Sequence, residues 1–313
     1  MKLVFMGTPA FAATCLAAVL ETEHEIVGVY TKPDTPKNRG MKLIPSEVKL
    51  LAQAHGLPVF QPASFRDDAV VEELRSLTPD LIIAVAYGKL LPQRVLDIPP
   101  LGCINIHGSV LPALRGSAPV QWAVLNDLPE TGVTAMYLNA GMDEGDIIEI
   151  RKTPIGENET AGELMDRLAL LGAALLKDTL AAIAKGTAAR TPQDPAQASY
   201  APMLTKELSP VNWNRPARAI LAQIRGLNPW PGATAVLGGT EFKLWEARPW
   251  PAESAAEPGT KTAPGTPLAL NKKGLVVACG DGAIQVTRLQ APGGKAMPAA
   301  DYFRGHPIQI NNE

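Results

Sequence analysis

Cysteine is scarce: Cys15, Cys103 and Cys279 are the only three in 313 residues, and no C-x-x-C pair occurs. A scattered, odd-numbered set argues against a disulfide framework or a zinc site and points to a reducing compartment. An excess of charge of either sign is also lacking. With 29 basic and 31 acidic side chains the formal charge is −2, so no global field draws the chain to nucleic acid or membrane. A polyanionic partner would need a local basic patch. No apolar run reaches membrane-spanning length. Strand-like sequence begins at Lys2, leaving no room for a leader peptide, so a cytoplasmic protein is expected. Glycine is missing where a dinucleotide would need it: Gly7-Thr8-Pro9-Ala10-Phe11-Ala12 supplies one glycine for a three-glycine fingerprint. That counts against a nicotinamide oxidoreductase. The P-loop pattern and the G-x-S-x-G nucleophile elbow are absent as well.

What is present is alternation. Short β-branched runs at residues 2–6, 25–30 and 81–86 interleave with helical stretches at 11–20 and 46–55. Further strands are expected at 103–107, 133–138 and 146–151, then a long amphipathic helix from 161 to about 185. The run LIIAVA at 81–86 is nearly all apolar, as a strand buried on both faces should be. Such alternation predicts an α/β domain, a Rossmann-like and mostly parallel sheet with helices on both faces, over residues 1–188. Residues 189–205, rich in Ala, Pro, Gln and Ser, read as a surface linker. Residues 206–313 change character, with one helix at 215–225 and then short strands at 234–237, 241–247, 275–278 and 283–289. A C-terminal OB-like β-barrel is the expected arrangement, with a generic sandwich as the alternative. Residues 249–267 read as an exposed loop.

The most informative stretch is Asn105-Ile106-His107-Gly108-Ser109. Side chains alternate along a strand, so Asn105 and His107 share a face, and Gly108 ends the strand at its carboxyl end. Open α/β sheets bind ligands in crevices at such ends. A structural pair satisfying loop backbone is the plainer reading, but a second polar cluster follows at Gly141-Met142-Asp143-Glu144-Gly145-Asp146. It sets a carboxylate on a turn. An ordinary Asp/Gly turn or a metal loop are the alternatives, and one acidic loop without further ligands makes metal the weaker of them. Amide, imidazole and carboxylate together suit acyl transfer to an amine without a covalent nucleophile. Asn105 and protonated His107 would donate to the oxyanion, and Asp143 would support the imidazolium and help take the proton off the amine.

The motifs Asn105-Ile106-His107-Gly108-Ser109, Leu111-Pro112-x-x-Arg115-Gly116 and Gly141-x-Asp143-x-Gly145-Asp146 resemble those of the 10-formyltetrahydrofolate-dependent formyltransferases. The resemblance extends over nearly the whole chain to the member whose acceptor is initiator methionyl-tRNA. It covers Val4 to Pro9, the basic loop Arg39-Gly40-Met41-Lys42-Leu43, and Tyr200-Ala201-Pro202 with Leu204-Thr205-Lys206. It implies Asn105, His107 and Asp143 as the catalytic trio. It implies a reduced-folate site lined by Ser109, Val110, Leu111 and Pro112, with Tyr87, Gly88 and Leu90. 10-Formyltetrahydrofolate would be the co-substrate, without a metal, a membrane or a stable protein partner. Val110 replaces the usual Leu, while Ala113 and Ala10 stand where a base and an acid are common.

Among acceptors, an amino-sugar nucleotide is the alternative, since its formyltransferases share the trio. The loop at residues 31–45 favours tRNA, because Lys32, Lys37, Arg39 and Lys42 face one opposing acid, Asp34. A loop of that charge beside a crevice suits phosphate positioning, although surface lysines alone are common. Arg39, Lys42 and Lys206 are the expected tRNA contacts. A non-catalytic RNA-binding module would explain the barrel and the basic loop, but not the trio.

Overall fold

Residues Leu81–Val85 are buried on both faces, as an all-apolar strand must be, and the first sheet is built around them. The computed structural model describes residues 1–37, 42–251 and 262–310. The chain divides into two units. One comprises Met1–Pro119, Glu130–Thr153 and Met165–Pro202, the other Val120–Pro129, Pro154–Leu164 and Met203–Glu313.

The first unit opens with β1 (Lys2–Gly7), α1 (Ala10–Leu20) and β2 (Glu25–Tyr30). A short antiparallel pair follows, β3 (Thr35–Lys37) with β4 (Lys42–Ile44). Next come α2 (Glu47–Ala54), β5 (Val59–Phe60) and α3 (Asp68–Ser76). Both helices start where a side chain takes over an orphaned backbone donor. Ser46 Oγ accepts from the Lys49 amide at 3.1 Å, and Asp67 Oδ1 from that of Ala69 at 2.9 Å. Then follow β6 (Leu81–Val85), α4 (Gln93–Leu96), β7 (Cys103–His107) and β8 (Arg115–Gly116). The remaining elements are α5 (Pro119–Leu125), β9 (Glu130–Tyr137), β10 (Ile147–Pro154) and α6 (Ala161–Ala184). All but the first residue of α5 groups with the second unit, as does the first turn of α6.

The seven-stranded sheet has the order β10-β9-β7-β6-β1-β2-β5. The neighbours from β7 to β5 are parallel, and β9 joins β7 antiparallel. Val4, Met6, Ile82, Ala84 and Cys103 share one core with Val71 and Leu74 of α3 and Val95 and Leu96 of α4. On the opposite face Gly172 of α6 lies close to Ile106 and to Phe11 of α1. Helices therefore cover both faces, as expected. The chain order reverses beside β1, and open α/β sheets bind ligands outside the carboxyl ends of their strands at such a reversal.

Residues 189–205 differ from a bare surface linker. They are mostly exposed, yet Thr191 exchanges two backbone hydrogen bonds with Ile147. In addition β11 (Tyr200–Ala201) pairs in parallel with β8. Polar and backbone contacts fasten the segment, which is why it carries no hydrophobic period.

The second unit packs α7 (Ala217–Gly226) on an antiparallel sheet of β12 (Ala233–Leu237), β13 (Thr240–Pro249), β14 (Pro267–Asn271), β15 (Gly274–Cys279) and β16 (Gly282–Gln290). Its order is β12-β13-β16-β15-β14, with β17 (Met297–Pro298) on β16, and α8 (Ala299–Gly305) follows. The core joins Ile220 and Ile224 of α7 to Phe242, Leu244, Val277, Ile284 and Leu289 of the sheet and Phe303 of α8. No helix among the described residues is long and apolar enough to cross a membrane.

Strand β9 approaches β10 so closely at Gly132 that a Cβ there would lie 2.2 Å from the Arg151 carbonyl oxygen. Gly132→Ala is expected to lower stability by about 1–3 kcal/mol, the range for forcing an extra carbon into a packed site. Gly305→Ala, which meets nothing within 4 Å, should stay within about 0.5 kcal/mol of the parent. Urea unfolding of both variants checks this.

Candidate active site

Strand alternation turns Asn105 and His107 to one face of β7, while Ile104 and Ile106 are buried on the other. Asn105 lies opposite Ala84 of β6 and Met136 of β9, and His107 opposite Thr134. The Asn105 side chain is half-buried. The His107 ring is 6% exposed, and its Nε2 lies 2.9 Å from the Leu114 carbonyl oxygen. A carbonyl only accepts, so this contact puts a proton on Nε2 and leaves Nδ1 for another partner. Asp143 Oδ2 stands 3.7 Å from that Nδ1. This is an electrostatic separation rather than a hydrogen bond.

Two of these positions hold a backbone conformation that L side chains seldom adopt: Leu114 at φ 61° and Asp143 at φ 53°. Non-glycine residues in this region cost about 1–3 kcal/mol and concentrate at functional sites. Asp143 is fastened from several sides. Its Oδ2 accepts the Gly116 amide at 2.8 Å, and its own carbonyl accepts from Gln193 Nε2 at 2.9 Å. Gly116 has φ 115°, and a Cβ there would meet the Ala201 carbonyl oxygen at 2.8 Å, so only glycine serves at that position. Arg115, with 4% exposure, lies beneath the acidic turn, its Nη1 3.9 Å from Glu144 Oε2.

The loop after β7 is internally tied. Ser109 Oγ donates to the Ala113 carbonyl at 2.6 Å. Thr134 Oγ1 donates to the Ser109 carbonyl at 2.6 Å and accepts from the Leu111 amide at 3.1 Å. Ser109 and Leu111 are buried, whereas Val110 and Pro112 are half-exposed. At the end of β6, Tyr87 is buried beside Phe65, and burial pushes its phenol up to about 12. Gly88 sits at φ 73° with Lys32 packed against it, and Leu90 is exposed. The folate-set residues thus occupy two loops at the carboxyl ends of adjacent parallel strands, β6 and β7.

Cys103, on the same face as Asn105, is core packing, and burial pushes its thiol up to about 12. Arg39 lies outside the described residues, and Lys42 is described only as backbone in β4. Asp34, the one acid of the basic loop, is held by Lys49 Nζ at 2.7 Å and by Gln61. The hydrogen bond from Lys49 lowers its pKa first, and that from Gln61 second. In the second unit Lys206 is exposed. Arg218 and Arg225 there are committed to Asp127, the latter at 3.0 Å. Among the described residues no group of three His, Cys, Asp or Glu side chains could hold a metal. Sequence reasoning passed over Gln193, Ser199 and Thr134, none of which carries a motif. Arg115 stood inside one without a role.

The formyl transferase family model matches residues 1–180, and the formyl transferase C-terminal domain model matches residues 203–307. The methionyl-tRNA formyltransferase of Trichlorobacter lovleyi is 44% identical over 309 residues, covering 99% of this chain and 95% of that protein. The methionyl-tRNA formyltransferase of Pseudomonas putida is 48% identical, covering 97% of this chain and 95% of its own length. Among solved structures, the N-formyltransferase from Helicobacter canadensis in complex with folinic acid and dTDP-3-aminofucose superposes with a TM-score of 0.66. It is 19% identical and covers 91% of this chain and 98% of that one, which shows a shared fold. The chain belongs to the formyl transferase family and groups within it with the methionyl-tRNA formyltransferases.

Proposed function

We propose that this chain transfers the formyl group of 10-formyltetrahydrofolate to the α-amino group of initiator methionyl-tRNA, in the cytoplasm, to support translation initiation. The observation that carries the chemistry is the placement of Asp143 Oδ2 3.7 Å from His107 Nδ1, on the strand face that also carries Asn105. The acceptor named for the full-length relatives supports the choice of amine.

The amine nitrogen bonds to the formyl carbon, and the carbonyl electron pair moves onto oxygen. Asn105 Nδ2 and the Nδ1 proton of charged His107 donate to that oxyanion, in a site already arranged for the charge. The pair returns to carbon as the bond to the folate nitrogen breaks. The proton released by the amine passes to Asp143, His107 Nδ1 gives its proton to the departing folate nitrogen, and Asp143 reprotonates His107, so none is gained or lost. The Leu114 carbonyl accepts from Nε2 and so leaves Nδ1 for these transfers. The Gly116 amide occupies Asp143 Oδ2 and leaves Oδ1 for the proton.

Val110 and Pro112, with Leu90 and Gly88, form the folate cradle in this reading, and buried Tyr87, Ser109 and Leu111 hold its two loops in shape. Residues 1–188 carry the chemistry. Residues 206–313, an antiparallel and OB-like domain, bind tRNA through Lys206 together with the basic loop of Arg39 and Lys42. Asp34 is already paired with Lys49, so it opposes the loop's cations less than its formal charge implies.

Asp143→Asn is expected to cut kcat for methionyl-tRNA by roughly 10²–10⁴-fold, the range for a positioned acid–base group, with folate affinity nearly unchanged. Near-normal turnover would remove Asp143 from the mechanism and make Asp146 the next acid to test. The acceptor is tested by offering charged initiator tRNA against a dTDP-amino sugar. Transfer to the sugar alone would replace the tRNA reading.

Arg39→Leu keeps bulk but removes the charge and the planar fork of donors. Its kcat/KM for charged tRNA should fall while folate binding holds, and the salt slope of log(kcat/KM) should flatten by about one unit. Equal kinetics for parent and variant across a salt series would sink the role of this loop.

A further inference from the structure

One side chain joins the segment at residues 191–201 to the acidic turn. Gln193 Oε1 accepts from Arg115 Nε at 3.1 Å and Nη2 at 2.8 Å. Its Nε2 donates to the carbonyl oxygens of Asp143 at 2.9 Å and Gly145 at 2.8 Å. The partners leave no freedom in placing the amide's oxygen and nitrogen. Guanidinium nitrogens only donate and carbonyls only accept, so the reverse orientation would set like against like at all four contacts. Both amide protons and both lone pairs are used.

We propose that Gln193 is a positioning residue for the formyl-transfer reaction, setting the Asp143 carboxylate opposite His107 by holding the backbone on either side of the acidic turn. The inference rests on the reading of Asp143 given above. Asp143 holds φ 53°, a conformation that relaxes unless its surroundings enforce it. One Gln193 bond grips its carbonyl, and the other grips Gly145, where an added Cβ would lie 1.9 Å from the Tyr137 carbonyl oxygen. The same segment places the second restraint. Ser199 accepts the Arg115 amide, and β11 lies in register with Arg115 and Gly116. Gly116 in turn donates to Asp143 Oδ2. Carboxylate and backbone are thus set by one stretch of chain, and Gln193 is its only side chain bonded to the acidic turn among the described residues.

The test is a double-mutant comparison in steady-state formyl transfer from 10-formyltetrahydrofolate to methionyl-tRNA. Gln193→Leu should lower kcat by about 10²-fold, as loss of alignment near 1 Å does, with KM for both substrates at the parent value. Gln193→Glu still accepts from Arg115 but sets a carboxylate oxygen against the two carbonyls, so it should show at least the same kcat loss, with a lowered melting temperature and unfolding that stays cooperative. That variant carries the comparison if Gln193→Leu folds poorly. In the Asp143→Asn background either change should have no further effect, because the group being positioned is gone. Parent-level kcat in Gln193→Glu, or an equal fold-loss in both backgrounds, would overturn the proposal. Normal turnover in Asp143→Asn alone would overturn the reading of Asp143 and the positioning role with it.

Discussion

The Gly116 amide and the Asp143 carboxylate meet at 2.8 Å, and three segments distant in sequence must be in place before they can. The strand and loop at residues 103–116 bring the donor, the turn at 139–146 brings the acceptor, and residues 191–201 brace both. A hydrogen bond to a charged group is worth about 1.5–3 kcal/mol, and the left-handed backbone at Asp143 costs about 1–3 kcal/mol. The turn is therefore close to balance by itself. Its additional ties, to Gln193 and through the Tyr137 amide to the Asp146 carbonyl at 2.9 Å, hold it in the observed conformation. Any loosening at a distance from His107 would reach the carboxylate through one of these ties.

The elements that were legible in the sequence are those whose burial imposes a period. Strands at residues 25–30 and 103–107 agree with the structure to the residue, and the one at 81–86 ends a residue early, because Ala86 turns to φ 45°. What escaped has weaker signals. Helix α3 buries only Val71 and Leu74 among nine residues. Helix α5 is seven residues long and begins at a proline. Strand β14, PLALN, has no β-branched residue and no fully buried side chain. The change of β7's neighbour from parallel β6 to antiparallel β9 left no mark, since both neighbours ask for the same apolar face.

The candidate site was legible to the same depth and for related reasons. Period-two alternation places Asn105 beside His107, and paired glycines announce the turn bearing Asp143. Neither feature says how the turn is held. The bracing runs from a side-chain amide to backbone carbonyls and from backbone to backbone, and such contacts leave no composition or spacing behind. Motif reading also merges two kinds of residue. Ser109 and Leu111 sit in the same short motif as Val110 and Pro112, yet the first two point into the protein and fasten the loop. A motif records which residues a loop needs, and the structure separates those that shape it from those that face outward.

The burial of Arg115 bears on how an anionic acceptor could approach three neighbouring acids. Asp143, Glu144 and Asp146 all belong to the acidic turn, and a phosphate-bearing substrate arriving there would meet like charge. The Arg115 guanidinium lies under that turn at 4% exposure, within 3.9 Å of Glu144. Charges in a low-dielectric setting act over longer distances than exposed ones, so this cation offsets the turn's field without occupying the crevice. An unpaired guanidinium held there would be costly. Gln193 Oε1 and Glu144 supply the acceptors that make it tolerable. One amide therefore serves both ends of the problem, because its oxygen solvates the buried cation while its nitrogen secures the backbone of the acid.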